Sequence, residues 1–161
     1  MVVQNPDFER RMEVLAVLSR TAIDLVLNYA IRWGCSLLDA ILETHSLSEQ
    51  ALASAFAAAY ELPIKKSPLK AEFFGNPILP YRQAMIHECW VTCGGPAESK
   101  KGEIVVADPQ GEWRQILTDL ISIEGFELFV MERSKLLGWI SSAYPWEIKF
   151  PLENVRPRRC V

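Results

Sequence analysis

The residues best placed for chemistry are a histidine and two cysteines that lie close together in the second half of the chain, His87, Cys89 and Cys93. In an extended strand all three would face one side, because alternate side chains point the same way. A structural zinc site needs four ligands and usually has closer cysteine pairs, so this set is incomplete. Free cysteine is often buried. Two core cysteines beside a histidine are therefore the simpler interpretation, and a small metal or thiol protein is the alternative.

Other catalytic patterns are scarce in this sequence. It contains two histidines, His45 and His87, and neither belongs to a nucleophile or metalloprotease motif. The segment 94–101 (GGPAESKK) resembles a phosphate-binding loop, but it lacks the G-x-x-x-x-G-K-[ST] spacing and precedes a predicted strand. We read it as a polar hairpin loop. We therefore predict no enzyme activity and no cofactor.

Composition narrows the class of protein further. Half of the 161 residues are hydrophobic and 23% are charged, with a net charge of −3, which excludes a disordered chain. The slight acidic excess argues against a general nucleic-acid partner, since neutralising phosphates requires clustered lysine and arginine. Four cysteines are too few for a disulfide scaffold. The longest apolar stretch, 12–33, is interrupted by charged residues, and no signal peptide is visible. We expect a cytoplasmic protein that does not insert into a membrane.

Helical spacing of apolar residues dominates the first part of the chain. It predicts one helix over 9–31, which Gly34 ends, and a short helix over 37–42. A third helix follows, which Ser46 or Ser48 caps. These helices would form a helical N-terminal lobe over residues 1–62.

From residue 81 onward the pattern changes to short strands that alternate with helices. After a short helix it predicts a strand, a second strand, a helix that Asp108 and Pro109 begin, a third strand and a last helix that Ser134 caps. The predicted fold class is therefore α+β, in which a helical N-terminal lobe is followed by a small β-β-α-β-α lobe with a three-stranded sheet. The predicted domains are 1–62 for the helical lobe, 63–80 for a proline-rich connector, 81–145 for the small lobe and 146–161 for an extended tail.

Three segments resemble the N-terminal domain of type II secretion and type IV pilus assembly ATPases, known as the general secretion pathway protein E N-terminal or MshEN-like domain. The segment 37–52 (LLDAILETHSLSEQAL) resembles the family's helix, break and helix. The segment 60–63 (YELP) is similar to the end of the family's next helix, and 104–109 (IVVADP) resembles its strand-to-helix junction. The order of elements also matches, so the resemblance spans residues 36–144.

The resemblance implies a protein-interaction role. Many members of the family dock a secretion motor onto an inner-membrane platform protein. No ATPase core follows Val161, so we expect either an isolated N-terminal fragment or a stand-alone relative that lacks the motor. The leading hypothesis is a non-enzymatic docking domain whose partner is an inner-membrane secretion or pilus platform component.

An alternative implied by the resemblance is binding of cyclic di-GMP. A subset of the family binds this nucleotide through an Arg-Leu-Gly-x-x-Leu-Leu-x-x-Gly pattern. When the chain is aligned through Ser48 and Leu52, Ser36 stands at the arginine position, and Leu38 and His45 stand at the two glycines. A leucine in place of the first glycine would block close approach of the backbone to a ligand.

A second alignment starts from Arg32, Trp33 and Gly34, which match the first half of the same pattern. In this register the later glycine becomes Ile41, and the break that precedes the next helix comes one helical turn too late. Neither register restores the whole motif, so we expect nucleotide binding to be degenerate or lost. Arg32, Trp33 and Gly34 are the candidate ligand-binding residues of this alternative.

Overall fold

A computed structural model describes residues 6–66, 78–93 and 102–144 of the chain. These residues form seven helices and three strands. In chain order the elements are α1 (Pro6–Leu15), α2 (Arg20–Trp33), α3 (Leu37–Glu43), α4 (Glu49–Tyr60), α5 (Tyr81–Ile86), β1 (Cys89–Cys93), β2 (Gly102–Val106), α6 (Trp113–Leu120), β3 (Glu127–Val130) and α7 (Arg133–Ala143). The α+β class is confirmed, since the helices come first and a small sheet follows.

The first predicted helix is in fact two helices. α1 ends at Leu15, and α2 begins after Ser19, whose extended backbone lets its hydroxyl accept a hydrogen bond from the Ala22 amide at 3.2 Å. Burial of Val14, Leu15 and Leu18 holds the intervening turn against the core. The prediction of one helix over 9–31 was wrong because a serine N-cap can begin a new helix, and buried side chains can hold the turn before it, without glycine or proline.

The end of α2 and the cap of α4 agree better with the predictions made from the sequence. Gly34 ends α2 in the left-handed conformation at φ 61°, as predicted. Ser48, rather than Ser46, caps α4 by accepting a hydrogen bond from the Ala51 amide. Glu61 then ends α4, also with a left-handed backbone.

The three strands form one mixed sheet in the order β1-β2-β3. β1 and β2 are antiparallel, whereas β2 and β3 are parallel, and α6 makes the crossover between them. At the outer edge of β3, Ile64 forms a parallel bridge with Val130, and the Lys65 amide donates to the Val130 carbonyl at 2.8 Å. The first residues of the predicted connector therefore extend the sheet.

The junction between β2 and α6 differs from the prediction. The carboxylate of Asp108 accepts a hydrogen bond from the Gln110 amide, and the Asp108 carbonyl accepts one from the Trp113 indole at 3.1 Å. These bonds form a turn, so α6 begins at Trp113 and not at Asp108 and Pro109. α7 also begins without the predicted cap, since Glu132 precedes it and the Ser134 hydroxyl donates to Glu49.

The buried side chains of both halves belong to one continuous core. Its largest fully buried members come from four helices, α3, α4, α6 and α7: Phe56, Ile41, Trp113, Leu117, Leu136 and Ile140. The division of the chain at residues 62, 80 and 145 stays a prediction. The predicted extended tail and most of the predicted connector and hairpin loop lie outside the described residues.

No single helix among residues 6–66, 78–93 and 102–144 has the length and apolar composition needed to cross a membrane. The helices α2 and α3 would meet those criteria only as a pair, and they are bent by 116° relative to each other.

Arg133 joins three separate parts of this fold. Its guanidinium, at the start of α7, donates hydrogen bonds to Glu88 in the turn before β1 and, at 2.8 Å, to Asp39 in α3. Burial raises the pKa of Glu88 above its usual value, and the attraction of Arg133 offsets only part of that effect. The ion pair therefore links the helices to the sheet. It does so at an energetic cost, because the buried Glu88 carboxylate is solvated less well than it would be in water.

Replacing Glu88 by Gln tests this linkage through pH. A carboxyl group whose pKa is higher in the folded state stabilises the fold most below its unfolded pKa of 4.5, and this contribution is lost as pH rises through the folded value. As pH is lowered from 7 toward 4.5, the wild-type protein should gain free energy of unfolding relative to Glu88→Gln. The gain should be about 1.4 kcal/mol for each unit by which the folded pKa of Glu88 exceeds its unfolded pKa. Urea unfolding of both proteins at several pH values measures this, and parallel curves would contradict it.

Candidate binding sites

Arg32 and Trp33 form an exposed cation–aromatic pair at the end of α2. The Arg32 guanidinium lies 5.7 Å from the centroid of the Trp33 ring. Trp33 is 64% exposed, and the ring of Tyr29 one turn earlier lies 6.2 Å from it. The structure thus brings together the predicted ligand-binding side chains, in an arrangement on which a planar base could stack.

The backbone around this pair meets the nucleotide motif only in part. Gly34 has a left-handed backbone, and a side-chain carbon added there would have no heavy atom within 4 Å. In the other register Ser36 is engaged as the cap of α3, and the Leu38 side chain is buried in the core. His45 has a φ of 52°, which a glycine would adopt without strain, at the position of the second glycine. Gly34 and His45 therefore have left-handed backbones, while Ser36 and Leu38 are engaged within the fold.

The predicted histidine–cysteine set does not share one strand face. His87 ends α5, and Glu88, with a φ of 48°, turns the chain before β1 begins at Cys89. The expectation that His87, Cys89 and Cys93 lie in one strand was therefore wrong for the histidine. Burial raises the pKa of the Cys89 thiol to about 12, so it is a neutral core thiol. The Cys93 side chain lies outside the described part of the structure.

A cleft lined by three arginines was not anticipated from the sequence. It lies between the start of α1, the end of α4 and the turn before α6, and it has a volume of about 310 Å³. We call it the arginine cleft and define it by Arg10, Arg11, Arg114, Tyr60 and Gln110. Three arginines against one aspartate, Asp7, in the lining give the cleft a positive charge that favours an anion.

Gln110 holds one wall of the arginine cleft in place. Its side-chain carbonyl accepts a hydrogen bond from Arg11 Nε at 2.6 Å, and its amide nitrogen donates to the Asp7 carbonyl at 3.2 Å. On the α6 side of the cleft, Arg114 lies 4.8 Å from the ring of the buried Trp113. The guanidinium groups of Arg11 and Arg114 are therefore held by contacts with neutral side chains.

Tyr60 contributes a buried hydroxyl to the arginine cleft. This hydroxyl has no hydrogen-bond partner among the residues that the structure describes, and the Arg10 guanidinium lies 5.1 Å from the centroid of the ring. Burial, together with the negative charges of Asp108 and Asp7, raises the pKa of Tyr60 to about 12. At neutral pH the hydroxyl therefore keeps its proton and can donate a hydrogen bond.

Large apolar side chains are exposed along α1, α2 and the turn between them. Only Val26 is buried among the fourteen residues of α2, whereas Ile31 is 81% exposed. The exposed apolar set consists of Phe8, Met12, Val17, Leu25, Leu27, Ile31 and Trp33. We call it the α1–α2 apolar face. Leu27 and Ile31 share one side of α2, whereas Trp33 points away from them, because side chains two residues apart on a helix point in nearly opposite directions. Exposed apolar side chains that lie together, such as Leu27 and Ile31, are candidates for an interaction site.

Sequence reasoning missed the arginine cleft for a simple reason. Arg10 and Arg11 are adjacent in sequence and could have been flagged as a basic pair, but Arg114 lies about a hundred residues later. Their meeting depends on the packing of α1 against α4, and on the turn that places Gln110 beside α1. No local motif encodes that arrangement.

Comparison with solved structures identifies the fold. A structure of MshE with cdg matches 81% of this chain and 96% of that chain, with a TM-score of 0.63 and 21% sequence identity. A structure of the N-terminal domain of XpsE matches 90% of this chain and 100% of that chain, with a TM-score of 0.63 and 18% identity. The fold implied by the sequence resemblance is therefore confirmed. No protein-family model matches the sequence, and a search of curated proteins returned no match.

Two tyrosine variants test the state of the Tyr60 hydroxyl. Because this buried hydroxyl has no partner in the described part of the chain, Tyr60→Phe should leave the free energy of unfolding unchanged or raise it by up to about 1 kcal/mol. Tyr144→Phe is the matched control, since the Tyr144 hydroxyl donates to the Leu79 carbonyl at 2.6 Å and its removal should cost about 1 kcal/mol. Urea unfolding measures both, and an equal loss in the two variants would contradict the assignment.

Proposed function

We propose that this chain is a non-enzymatic interaction domain that docks onto an inner-membrane platform component of a secretion or pilus assembly machine, from the cytoplasmic side. The observation that carries the proposal is the fold shared with the N-terminal domain of XpsE over 90% of this chain. The family motifs at 37–52, 60–63 and 104–109 support it independently, because they depend on sequence and not on shape.

The α1–α2 apolar face supplies the docking surface in this proposal. Interfaces bury apolar and aromatic side chains at their centre and keep polar residues at the rim. Leu27 and Ile31, four residues apart on one side of α2, provide the apolar centre, and Asp24 and Arg32 lie beside them on the same helix. Burial of such a face stabilises a complex, while the neighbouring charges favour one orientation of the partner over others.

The proposed docking role does not use Cys89 as a reactive thiol. The Cys89 thiol is buried, and a pKa near 12 leaves it almost entirely un-ionised at neutral pH, so it is a poor nucleophile. Within residues 6–66, 78–93 and 102–144, no three histidine, cysteine or acidic side chains form a group that could hold a metal ion.

Docking can be tested by co-expression with the cytoplasmic parts of the inner-membrane secretion and pilus platform proteins from the same genome. We expect one of them to co-purify with the chain. Ile31→Asp should weaken that complex at least about tenfold, because it places a charge in the apolar centre of the interface. Ile86→Asp is the matched control, since Ile86 is 62% exposed at the end of α5, away from this face. Absence of every platform component from the purified chain would eliminate the docking function.

Cyclic di-GMP binding is the second candidate function, and the exposed Arg32–Trp33 pair favours it. The solved structure of MshE carries cdg, the usual abbreviation of this nucleotide. Arg32, Trp33 and Gly34 present a guanidinium, an aromatic ring and an open backbone at one helix end, which suits a guanine base. The buried Leu38, at a motif glycine position of the other register, argues for weaker binding than a complete motif would give.

Calorimetric titration with cyclic di-GMP separates this candidate from docking alone. If the Arg32–Trp33 pair binds the nucleotide, titration should release heat and raise the melting temperature, and Arg32→Ala should remove both effects. Arg82→Ala is the control, because Arg82 is an exposed arginine on α5. Absence of both heat and thermal shift in the wild-type protein would eliminate nucleotide binding.

A further inference from the structure

We propose that the arginine cleft receives an acidic side chain, aspartate or glutamate, of the docking partner. The proposal rests on the docking function above and adds a second point of contact to the α1–α2 apolar face. Its three arginines, Arg10, Arg11 and Arg114, lie outside the segments that carry the resemblance, whereas Tyr60 belongs to the segment 60–63.

The charges around the arginine cleft favour a ligand with one negative charge. Arg10, Arg11 and Arg114 line the cleft together with Asp7, and the Asp108 carboxylate lies close enough to act on Tyr60. This leaves an excess of one positive charge. A single carboxylate balances that excess, whereas a phosphate with two charges would overcompensate it.

The Tyr60 hydroxyl supplies a donor that lacks an acceptor among the described residues. It is buried, and leaving a buried polar group without a partner is costly. A carboxylate offers up to four acceptor positions, so one group can accept from Tyr60 and from an arginine at the same time. Once the atoms that cover the hydroxyl shift, a ligand carboxylate would accept from Tyr60 and from an arginine together.

The size and rigidity of the arginine cleft suit a side chain. Its volume of about 310 Å³ is at the small end of the range of about 300–1000 Å³ found for sites that enclose whole ligands. The hydrogen bond from Arg11 to Gln110, and the stacking of Arg10 on Tyr60 and Arg114 on Trp113, hold the three guanidinium groups in place before a ligand arrives. Such preorganisation lowers the entropy lost on binding.

Titration of the isotope-labelled full chain by NMR tests the proposal with a defined probe. The probe is a blocked octapeptide that carries two glutamates in a glycine–serine background, and its control is the same peptide with glutamines. We expect the glutamate peptide alone to shift the side-chain resonances of Arg10, Arg11 and Arg114. Arg10→Gln combined with Arg114→Gln should abolish the shifts, Tyr60→Phe should weaken binding about tenfold, and Arg82→Gln should change nothing.

Other outcomes would overturn the proposal. No shift with the glutamate peptide, or tighter binding of inorganic pyrophosphate than of that peptide, would mean that the arginine cleft does not serve carboxylates. If the platform component co-purifies with the Arg10→Gln and Arg114→Gln double variant as tightly as with the wild type, the cleft has no part in docking and the docking function stands. If no platform component binds the wild-type chain, the docking function fails, and with it the proposed source of the carboxylate.

Discussion

Burial of the Trp113 indole is the interaction on which both the fold and the arginine cleft depend. The ring is 1% exposed at the centre of the core, and its N–H group donates to the Asp108 carbonyl. This hydrogen bond keeps residues 108–112 in a turn and delays the start of α6. The turn is tight, since a side-chain carbon at Gly111 would lie 3.2 Å from the indole. It positions Gln110 against α1, so a core contact determines the geometry of a surface site.

The helices and the sheet are joined by polar contacts as well as by the core. Arg133 links α7 to α3 and to the turn before β1, and Glu49 at the start of α4 accepts hydrogen bonds from Ser134. Ion pairs in partly buried positions contribute modestly to stability because desolvation opposes the attraction, and the raised pKa of Glu88 reflects that opposition. These contacts fix the position of α7 relative to α3, while apolar packing provides most of the free energy of folding.

The sequence predicted the helices and strands better than the turns between them. Those turns position the residues of the candidate sites. Local chemistry identified Gly34 as a helix end, since only glycine adopts its backbone without strain. Asp108 and Pro109 also looked like a helix start. Burial of the Trp113 ring in the core, with its hydrogen bond to the Asp108 carbonyl, forms a turn there instead. The break after Leu15 likewise depends on burial that no short motif reveals. For the same reason Arg32, Trp33 and Gly34 could be nominated from sequence, being consecutive, whereas the arginine cleft could not.

The two proposed contact surfaces make different physical contributions to binding a partner. The α1–α2 apolar face offers buried area, which provides most of the affinity of an interface and little selectivity. The arginine cleft offers fixed charges and a buried hydroxyl that can donate, which discriminate among partners because a wrong partner leaves those groups unsatisfied. Helix α1 contributes to both, through Met12 on the apolar face and Arg10 in the cleft. A partner that engages both surfaces would therefore contact opposite sides of a single helix, and the packing of α1 against α4 would set its orientation.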